Sequence, residues 1–244
     1  MSSLKERLAE KRANLGKNSG GYQYFAIKEG TTRMRHLPVG EEKEFAVEAV
    51  FFYLGIEGHM GVVSAATFGK KCAIMNAYNE LSQSKDPKDR ELAKKFKPQK
   101  KYFSPVIKYK DEKGKEIDEE NGVKLLLLTP GMYQELIDLF LDEDEAGDFT
   151  DIKTGYDLKY KRTGKGKTDT EYSVFRCNST PLAKKYAKDI YDPEAMLKDG
   201  IIPTFKESQE ILDKYLNIAS TTKEDDEEEE TPRPKKKKKV RRDL

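Results

Sequence analysis

The chain has few residues of the kinds that bind metals or form disulfides. It contains two cysteines and two histidines among 244 residues. Cys72 and Cys177 lie far apart, and this sparse use of cysteine fits a reducing compartment. Two histidines and two cysteines also leave little material for a metal centre, so we predict no metal and no cofactor.

Long apolar runs are missing as well. Leu125–Leu128 is a run of only four residues, far short of the roughly 18 residues that a membrane span needs. The first eight residues, Met-Ser-Ser-Leu-Lys-Glu-Arg-Leu, have no apolar core of the kind an export signal requires. We therefore expect a cytoplasmic protein without a membrane partner.

The chain has almost no excess of charge of either sign. Its 46 Lys and Arg residues oppose 44 Asp and Glu residues, for a net charge of +2. Positive charge is nevertheless concentrated in residues 85–115 and 158–168, and negative charge in residues 135–151. A chain polarised in this way can steer a polyanion into one groove while its other surfaces repel it.

The stretch Lys94–Lys110 interleaves lysines with aromatic residues and contains no acidic residue. Its two prolines exclude a continuous helix, and Lys101–Lys110 alternates like a strand, with Tyr102 and Phe103 on opposite faces. Ammonium groups beside flat rings suit a single-stranded nucleic acid, because lysines meet phosphates and rings stack on unpaired bases. The alternative is an edge strand whose lysines prevent aggregation and whose rings are core.

Composition along the chain predicts three parts. Residues 1–21 form a basic arm with a short helix, residues 22–219 a folded core, and residues 220–244 a disordered tail that is first acidic and then basic. Short strands with a helical insertion at residues 72–97 indicate a mostly β protein of the α+β class. We predict an OB-type barrel with a small helical subdomain and C-terminal helices.

Several local signals are specific enough to test. Asp86-Pro87 and Thr129-Pro130 predict the starts of two helices. The apolar run Val123–Leu128 predicts a strand buried on both faces. The remaining predictions are a hairpin of residues 156–162 and 170–176, and helices at Leu182–Tyr191 and Phe205–Leu216.

Basic residues on the predicted strands are candidates for phosphate contacts. They are Arg33, Arg35, Lys100, Lys101, Lys108, Lys110, Lys159, Lys161 and Arg162. The candidates for base stacking are Tyr102, Phe103, Tyr109, Tyr160 and Tyr172. Because side chains alternate along a strand, about half of these rings must belong to the core.

These patterns, in this order, resemble one family over roughly residues 22–216. The matching pieces are Thr32-Arg-Met-Arg-His-Leu-Pro38 before an apolar strand, Cys72 opening a helix, the basic run into Lys101-Tyr-Phe-Ser-Pro-Val-Ile-Lys-Tyr-Lys-Asp111, and the strand pair around residues 156–175. The chain resembles the helix-destabilising single-stranded-DNA-binding proteins of T-even-type tailed phages.

The resemblance implies an OB fold that holds single-stranded DNA in a basic, aromatic-lined cleft, in which Tyr102 occupies the place of a cleft ring. It further implies self-association along DNA through the N-terminal arm and contact with replication and recombination proteins through an acidic tail. The cell would be an infected bacterial host.

The sequence departs from the founding members of that family at their structural zinc, which one His and three Cys bind. His59 and Cys72 stand in the corresponding region, but Met75 occupies the position of a further cysteine. Two candidates do not complete a tetrahedral site. We predict that no zinc binds, that Ile74, Met75 and Tyr78 replace it by apolar packing, and that Cys72 is a buried core thiol.

The tail departs from the family too. Glu224–Glu230 corresponds to the acidic tail, whereas the basic run Thr231–Arg242 does not. Pro234–Val240 resembles a nuclear import signal, which would make the protein nuclear; alternatively, this end is a solvated segment that touches DNA or pairs with the acidic run. In either case the acidic run can compete with DNA for the cleft.

The sequence therefore predicts sequence-tolerant binding of single-stranded DNA in replication, recombination and repair. An RNA-binding OB protein and a structural binder of duplex nucleic acid are the alternatives. An enzyme is not expected, because the carboxylates at 118–120 and 142–145 read as solvated turns rather than as a magnesium site.

Overall fold

We analysed a computed structural model of the chain, which describes residues 23–40, 42–57, 59–142, 147–164 and 169–227. The predicted basic arm, the lysines at 165 and 167, and the tail from residue 228 onward lie outside the described residues.

Eight strands form one mixed sheet within these residues. The strands are β1 (Tyr24–Phe25), β2 (Gly30–His36), β3 (Val47–Ile56), β4 (His59–Val63), β5 (Gln99–Lys108), β6 (Lys124–Leu128), β7 (Tyr156–Thr163) and β8 (Glu171–Ser179). The ladder runs β1-β6-β5-β2-β7-β8, with β3 paired to β5 and β4 paired to β3. The short β1, which the sequence did not reveal, pairs parallel to β6.

Strand β5 lies at the centre of the sheet. Residues 99–103 pair with β3 and residues 106–108 with β2, while residues 102–106 pair with β6 on the other side. Both edges of this strand are therefore hydrogen-bonded. The alternative interpretation of this segment as an edge strand is wrong.

The sheet curves so that β1 approaches β4. The Tyr24 hydroxyl of β1 donates to the Gly61 carbonyl of β4 at 2.7 Å, although these strands stand at opposite ends of the path β1-β6-β5-β3-β4. No strand ladder closes this path among the described residues. The α+β class is confirmed, and the closed OB-type barrel stays a prediction.

Five α-helices are present in the described part of the chain. They are α1 (Ala73–Gln83), α2 (Pro87–Lys95), α3 (Pro130–Leu141), α4 (Pro193–Lys198) and α5 (Phe205–Glu227). Both predicted proline starts are confirmed: Asp86 accepts from the Lys88 amide, and Thr129 accepts from the Met132 amide.

The C-terminal helices differ from the prediction. Residues 182–191 form turns rather than a helix. The short helix α4 follows instead, where Asp192 accepts from the Glu194 and Ala195 amides. Helix α5 continues to Glu227, beyond the predicted end at Leu216 and into the segment predicted to be disordered.

Three apolar cores hold these elements together. The inner core lies on the concave side of the sheet and contains Leu37, Ala49, Phe51, Val63, Phe103, Ile107, Leu125, Leu127, Leu182, Tyr186, Tyr191, Met196 and Leu197. The α3-side core contains Ile27, Met34, Phe45, Ala46, Val106, Leu126, Leu128, Met132, Leu136, Phe149, Tyr156, Leu158 and Tyr160. Alternate residues of β6 enter the two cores, which confirms that this strand is buried on both faces.

The third core belongs to a helical lobe that α1, α2 and α5 build against β3. The Phe96 and Tyr215 rings meet edge to face with centroids 5.3 Å apart. Ser208 of α5 accepts from the Ala73 amide at the start of α1, and so satisfies a donor that the helix itself leaves unpaired. Cys72 is buried here with Ile74, and Met75 and Tyr78 pack against them, as predicted.

Candidate nucleic-acid interface

Four of the predicted contact residues lie inside the protein. Phe103 is 0%, Tyr160 and Arg35 are each 1%, and Lys101 is 7% exposed. Phe103 packs in the inner core, and Tyr160 packs in the α3-side core. Phe103, Tyr160 and Arg35 therefore stabilise the fold rather than offering a surface to a ligand.

Two predicted arginines are engaged by a buried carboxylate. Asp157 is 1% exposed and accepts from Arg33 Nε at 2.8 Å and Arg33 Nη2 at 2.6 Å. Arg35 Nη1 lies 3.7 Å from the same carboxylate, and the Arg35 guanidinium also donates to the Thr180 and Asp151 carbonyls. This cluster uses the positive charge of both arginines within the protein.

Tyr109 belongs to the same cluster. Its hydroxyl donates to Asp157 at 3.2 Å, and the Arg33 guanidinium lies 5.4 Å from its ring centroid. Burial, together with the Asp157 charge, raises the pKa of Tyr109 to about 12. The Tyr109 ring is thus a structural partner of the buried ion pair.

Tyr102 is accessible on one side only. Its ring stacks on Tyr133 with centroids 3.9 Å and planes 13° apart. The two hydroxyls donate to carboxylates, Tyr102 to Glu48 and Tyr133 to Glu44, and Lys100 forms a salt bridge with Glu48 at 3.0 Å. Burial and the bond to Glu48 raise the pKa of Tyr102. These carboxylates make this surface a poor place for a phosphate.

Other predicted residues do converge, around Tyr53 of β3. The Lys101 ammonium lies 5.3 Å from the Tyr53 ring centroid. Burial raises the pKa of Tyr53, Tyr172 of β8 raises it further, and the positive charge of Arg162 on β7 lowers it. Tyr53 itself is 43% exposed. Two cations and two rings from four strands thus lie near one another here; the Tyr53 ring is exposed, whereas Lys101 is largely buried.

Arg162 links this cluster to a neighbouring pocket. Its guanidinium lies 5.9 Å from the Tyr172 ring centroid and donates to the Ile27 carbonyl at 2.9 Å. Ile27 also lines a pocket of about 270 Å³ that contains three lysines, Lys28, Lys108 and Lys124. Phe25, Ala26, Thr32, Val106 and Gly122 form the rest of its lining.

We give these two groups of residues, which Arg162 links, the name cationic strip. It contains Phe25, Lys28, Tyr53, Lys101, Lys108, Lys124, Arg162 and Tyr172. Sequence reasoning missed Phe25, Lys28, Tyr53 and Lys124. Tyr53 stands in an apolar strand and Lys124 within the run Val123–Leu128, where neighbouring apolar residues give no sign of a binding role.

The remaining candidates lie away from the cationic strip. Lys159 and Lys161 are on the other face of β7, where Lys159 pairs across the ladder with Phe175, a ring that is 51% exposed. Lys110 forms a salt bridge with Glu116 at 2.7 Å. These residues form separate surfaces.

The described residues contain no group of three or more His, Cys, Asp or Glu side chains placed to hold a metal ion. His59 lies in β4 and Cys72 in the helical lobe. Of the carboxylates considered for a magnesium site, Glu119 lies 3.7 Å from Lys185 at the surface.

Among the described residues, no helix has the length and apolar character needed to span a bilayer.

Comparison with known proteins identifies the family. The model of the family described as gp32 DNA binding protein like matches residues 28–240, which include every strand from β2 onward and all five helices. No curated protein matched the chain in a sequence search. The family match confirms the resemblance stated above, and the chain belongs to the gp32-like family of DNA-binding proteins.

Proposed function

We propose that this member of a DNA-binding family binds single-stranded DNA along the cationic strip. The observation that carries the proposal is the convergence of Lys101, Arg162, Tyr53 and Tyr172 beside a pocket with three lysines. Ammonium and guanidinium groups neutralise phosphates, and exposed rings stack on bases that are not paired.

Single strands suit this surface better than a duplex. In a duplex the bases are stacked on one another and are not available to the protein's aromatic rings. Only lysines and arginines would then contribute to binding. The strip offers rings and cations together. Neither kind of group distinguishes one base sequence from another. Binding is therefore sequence-tolerant. An RNA strand presents the same chemistry and is the second candidate.

The curved sheet supports an OB-type organisation for this role. The Tyr24–Gly61 hydrogen bond brings β1 and β4 together, as the two ends of a five-stranded barrel would be brought together. On this hypothesis the cationic strip lies at the open side of such a barrel.

In the cell, the protein would coat transient single strands during replication, recombination and repair. The N-terminal arm would join neighbouring copies along the strand, and the acidic run Glu224–Glu230 would contact replication and recombination proteins. The location would be the cytoplasm of an infected bacterial host, or the nucleus if Pro234–Val240 acts as an import signal.

The first test is a fluorescence-anisotropy titration with labelled oligo-dT, the matching duplex and the matching RNA at two salt concentrations. We expect tight dT binding that weakens with salt, and much poorer duplex binding. Equal binding to duplex and single strand would contradict the proposal. Stronger binding to RNA would favour the second candidate.

Two pairs of variants locate the surface. Lys108→Ala/Lys124→Ala should reduce the salt slope by about 1.4, since a single strand contributes about 0.7 per phosphate contact, whereas Lys85→Ala/Lys88→Ala at the distant α1–α2 turn should not. Tyr172→Ala should weaken dT binding by about 1–3 kcal/mol, whereas Phe175→Ala on the opposite face of β8 should not. A larger loss from Phe175→Ala would move the site to that face.

A further inference from the structure

A second basic and aromatic pocket lies outside the cationic strip. It has a volume of about 420 Å³ and is lined by Lys70, Lys71 and Lys198, by Phe68 and Phe205, and by Ala65, Ile202, Pro203 and Thr204. This volume falls within the range of roughly 300–1,000 Å³ that is usual for ligand sites. The pocket is built where the segment before α1 meets the end of α4 and the start of α5.

One of the three cations of this pocket is held by its neighbours. The Lys198 ammonium lies 4.8 Å from the Phe68 ring centroid and forms an ion pair with Glu194. Lys70 and Lys71 are adjacent in sequence and exposed. An anion entering the pocket would meet three ammonium groups and compete with a single carboxylate for Lys198.

The aromatic residues of this pocket are also accessible. Phe205 is 47% exposed, although it begins α5 and a ring of its size is usually buried. Beside it, Thr204 and Glu207 form a reciprocal capping box, in which each backbone amide donates to the side chain of the other residue. Because the Glu207 carboxylate already lies at the helix start, the lysines are the groups that would hold an anion here.

We infer that this second pocket binds a phosphate and an unpaired base of the same single strand that occupies the cationic strip. The inference rests on the proposed function and extends it, because it gives the strand a second anchoring point beside the helical lobe. Lysines alone would suit any polyanion, but an exposed phenyl group among three lysines is the combination that an unpaired nucleotide uses.

The test uses the full chain and two labelled oligo-dT lengths, of about 4 and about 16 nucleotides, the limits of the site size of single OB folds. Lys70→Ala/Lys71→Ala should weaken binding of the long oligonucleotide and lower its salt slope by about 1.4, while the short one binds as to the wild type. Phe205→Ala should weaken binding of the long oligonucleotide about five-fold or more without changing its slope.

The control is Lys85→Ala/Lys88→Ala, which removes the same charge from the same lobe. The 11 residues of α1 place it roughly 16 Å from Lys71 at 1.5 Å per residue. If the wild type binds neither oligonucleotide, the proposed function fails. If the wild type binds both, the inference is overturned by an equal loss for both lengths, by no loss in the pocket variants, or by an equal loss in the control. A final comparison uses immobilised polyglutamate. If the wild type is retained on it, the Lys70/Lys71 variant is not, and DNA binding is the same in both, the pocket binds an acidic protein segment and the inference is overturned.

Discussion

Tyr160 donates its hydroxyl proton to Nε2 of His36 across 2.5 Å. Ser104 donates its own proton to the Phe45 carbonyl at 2.7 Å, so the contact between Ser104 and His36 Nδ1, also 2.7 Å, requires the imidazole to donate. These directions fix His36 as the neutral Nδ1–H tautomer. Both its nitrogens are used, and it is 0% exposed.

The buried imidazole predicts a specific loss of stability in acid. Burial, assisted by the Arg35 charge, lowers the pKa of His36 from 6.5 to about 3. Between pH 6.5 and about pH 3, His36 is therefore protonated in the unfolded chain but neutral in the folded protein. The free energy of unfolding should fall by about 1.4 kcal/mol for each pH unit below 6.5 on account of this residue.

Urea denaturation of the wild type and of His36→Gln at pH 7 and pH 5 measures this effect. The variant should be less stable at pH 7 but should lose less stability on acidification, because carboxylates titrate alike in both proteins. Parallel losses in the two proteins would show that His36 is protonated normally in the folded state.

The buried carboxylate of Asp157 should be among the most sensitive positions in the chain. Asp157→Asn removes the negative charge that Arg33 and Arg35 share and leaves two guanidinium groups close together. We expect a loss of about 3–5 kcal/mol in the free energy of unfolding, measured by urea denaturation. Glu119→Gln, at a surface pair with Lys185, serves as the control and should cost less than about 1 kcal/mol; equal effects would contradict the assignment.

Gly61 lies so close to Phe51 that no side chain fits between them. A Cβ built on Gly61 would stand 2.1 Å from Phe51 Cζ, and Phe51 is 1% exposed in the inner core. Gly61→Ala should therefore destabilise the protein by about 1–3 kcal/mol through overpacking. Gly131→Ala, in α3 with nothing within 4 Å of the new atom, should be neutral or stabilising by up to about 1 kcal/mol. Thermal melts of both variants check the contrast, and a neutral Gly61→Ala would show that Phe51 can move aside.

Lys101 should affect stability and DNA binding in opposite directions. Burial lowers the pKa of Lys101, so its charge destabilises the folded state at neutral pH, although its ammonium lies 5.3 Å from the Tyr53 ring centroid. Lys101→Met should raise the free energy of unfolding while it weakens oligo-dT binding and lowers the salt slope by about 0.7.

The adjacent Lys100 supplies the control for that prediction. Lys100→Met removes an exposed lysine paired with Glu48, outside the cationic strip. Urea denaturation and the anisotropy titration should both show little change. If Lys101→Met binds oligo-dT as the wild type does, Lys101 contributes only to the fold.

Local signals in the sequence predicted the elements whose ends are set locally. Asp86 and Thr129 each cap a helix through a neighbouring amide, so the relevant contact lies within three residues. Asp192-Pro193 carries the same signal and could have revealed α4. The helix predicted over 182–191 does not form: Leu182 and Tyr186 pack in the inner core, and the Tyr191 amide bonds to the Pro38 carbonyl.

The candidate site was harder to predict from the sequence, because it depends on contacts between residues that are far apart in the chain. Asp157 neutralises Arg33 across 124 positions, and no local pattern distinguishes an arginine so engaged from one that faces solvent. Alternation correctly separated Tyr102 from Phe103, but it does not say that both faces of β5 are covered. Lys101 and Tyr53 meet because β3 and β5 pair, and Arg162 reaches the Ile27 carbonyl across 135 positions.

The Ser208–Ala73 contact has a consequence for how a newly made chain folds. Helix α1 is complete early in synthesis, yet the group that caps it lies 135 residues further along, and the Tyr215 ring that covers Phe96 also belongs to the late helix α5. A ribosome releases the N-terminal parts of a chain first, so the lobe emerges with one apolar face uncovered and is finished only when α5 arrives. Folding of the lobe therefore comes last, although most of its residues are translated in the first half of the chain.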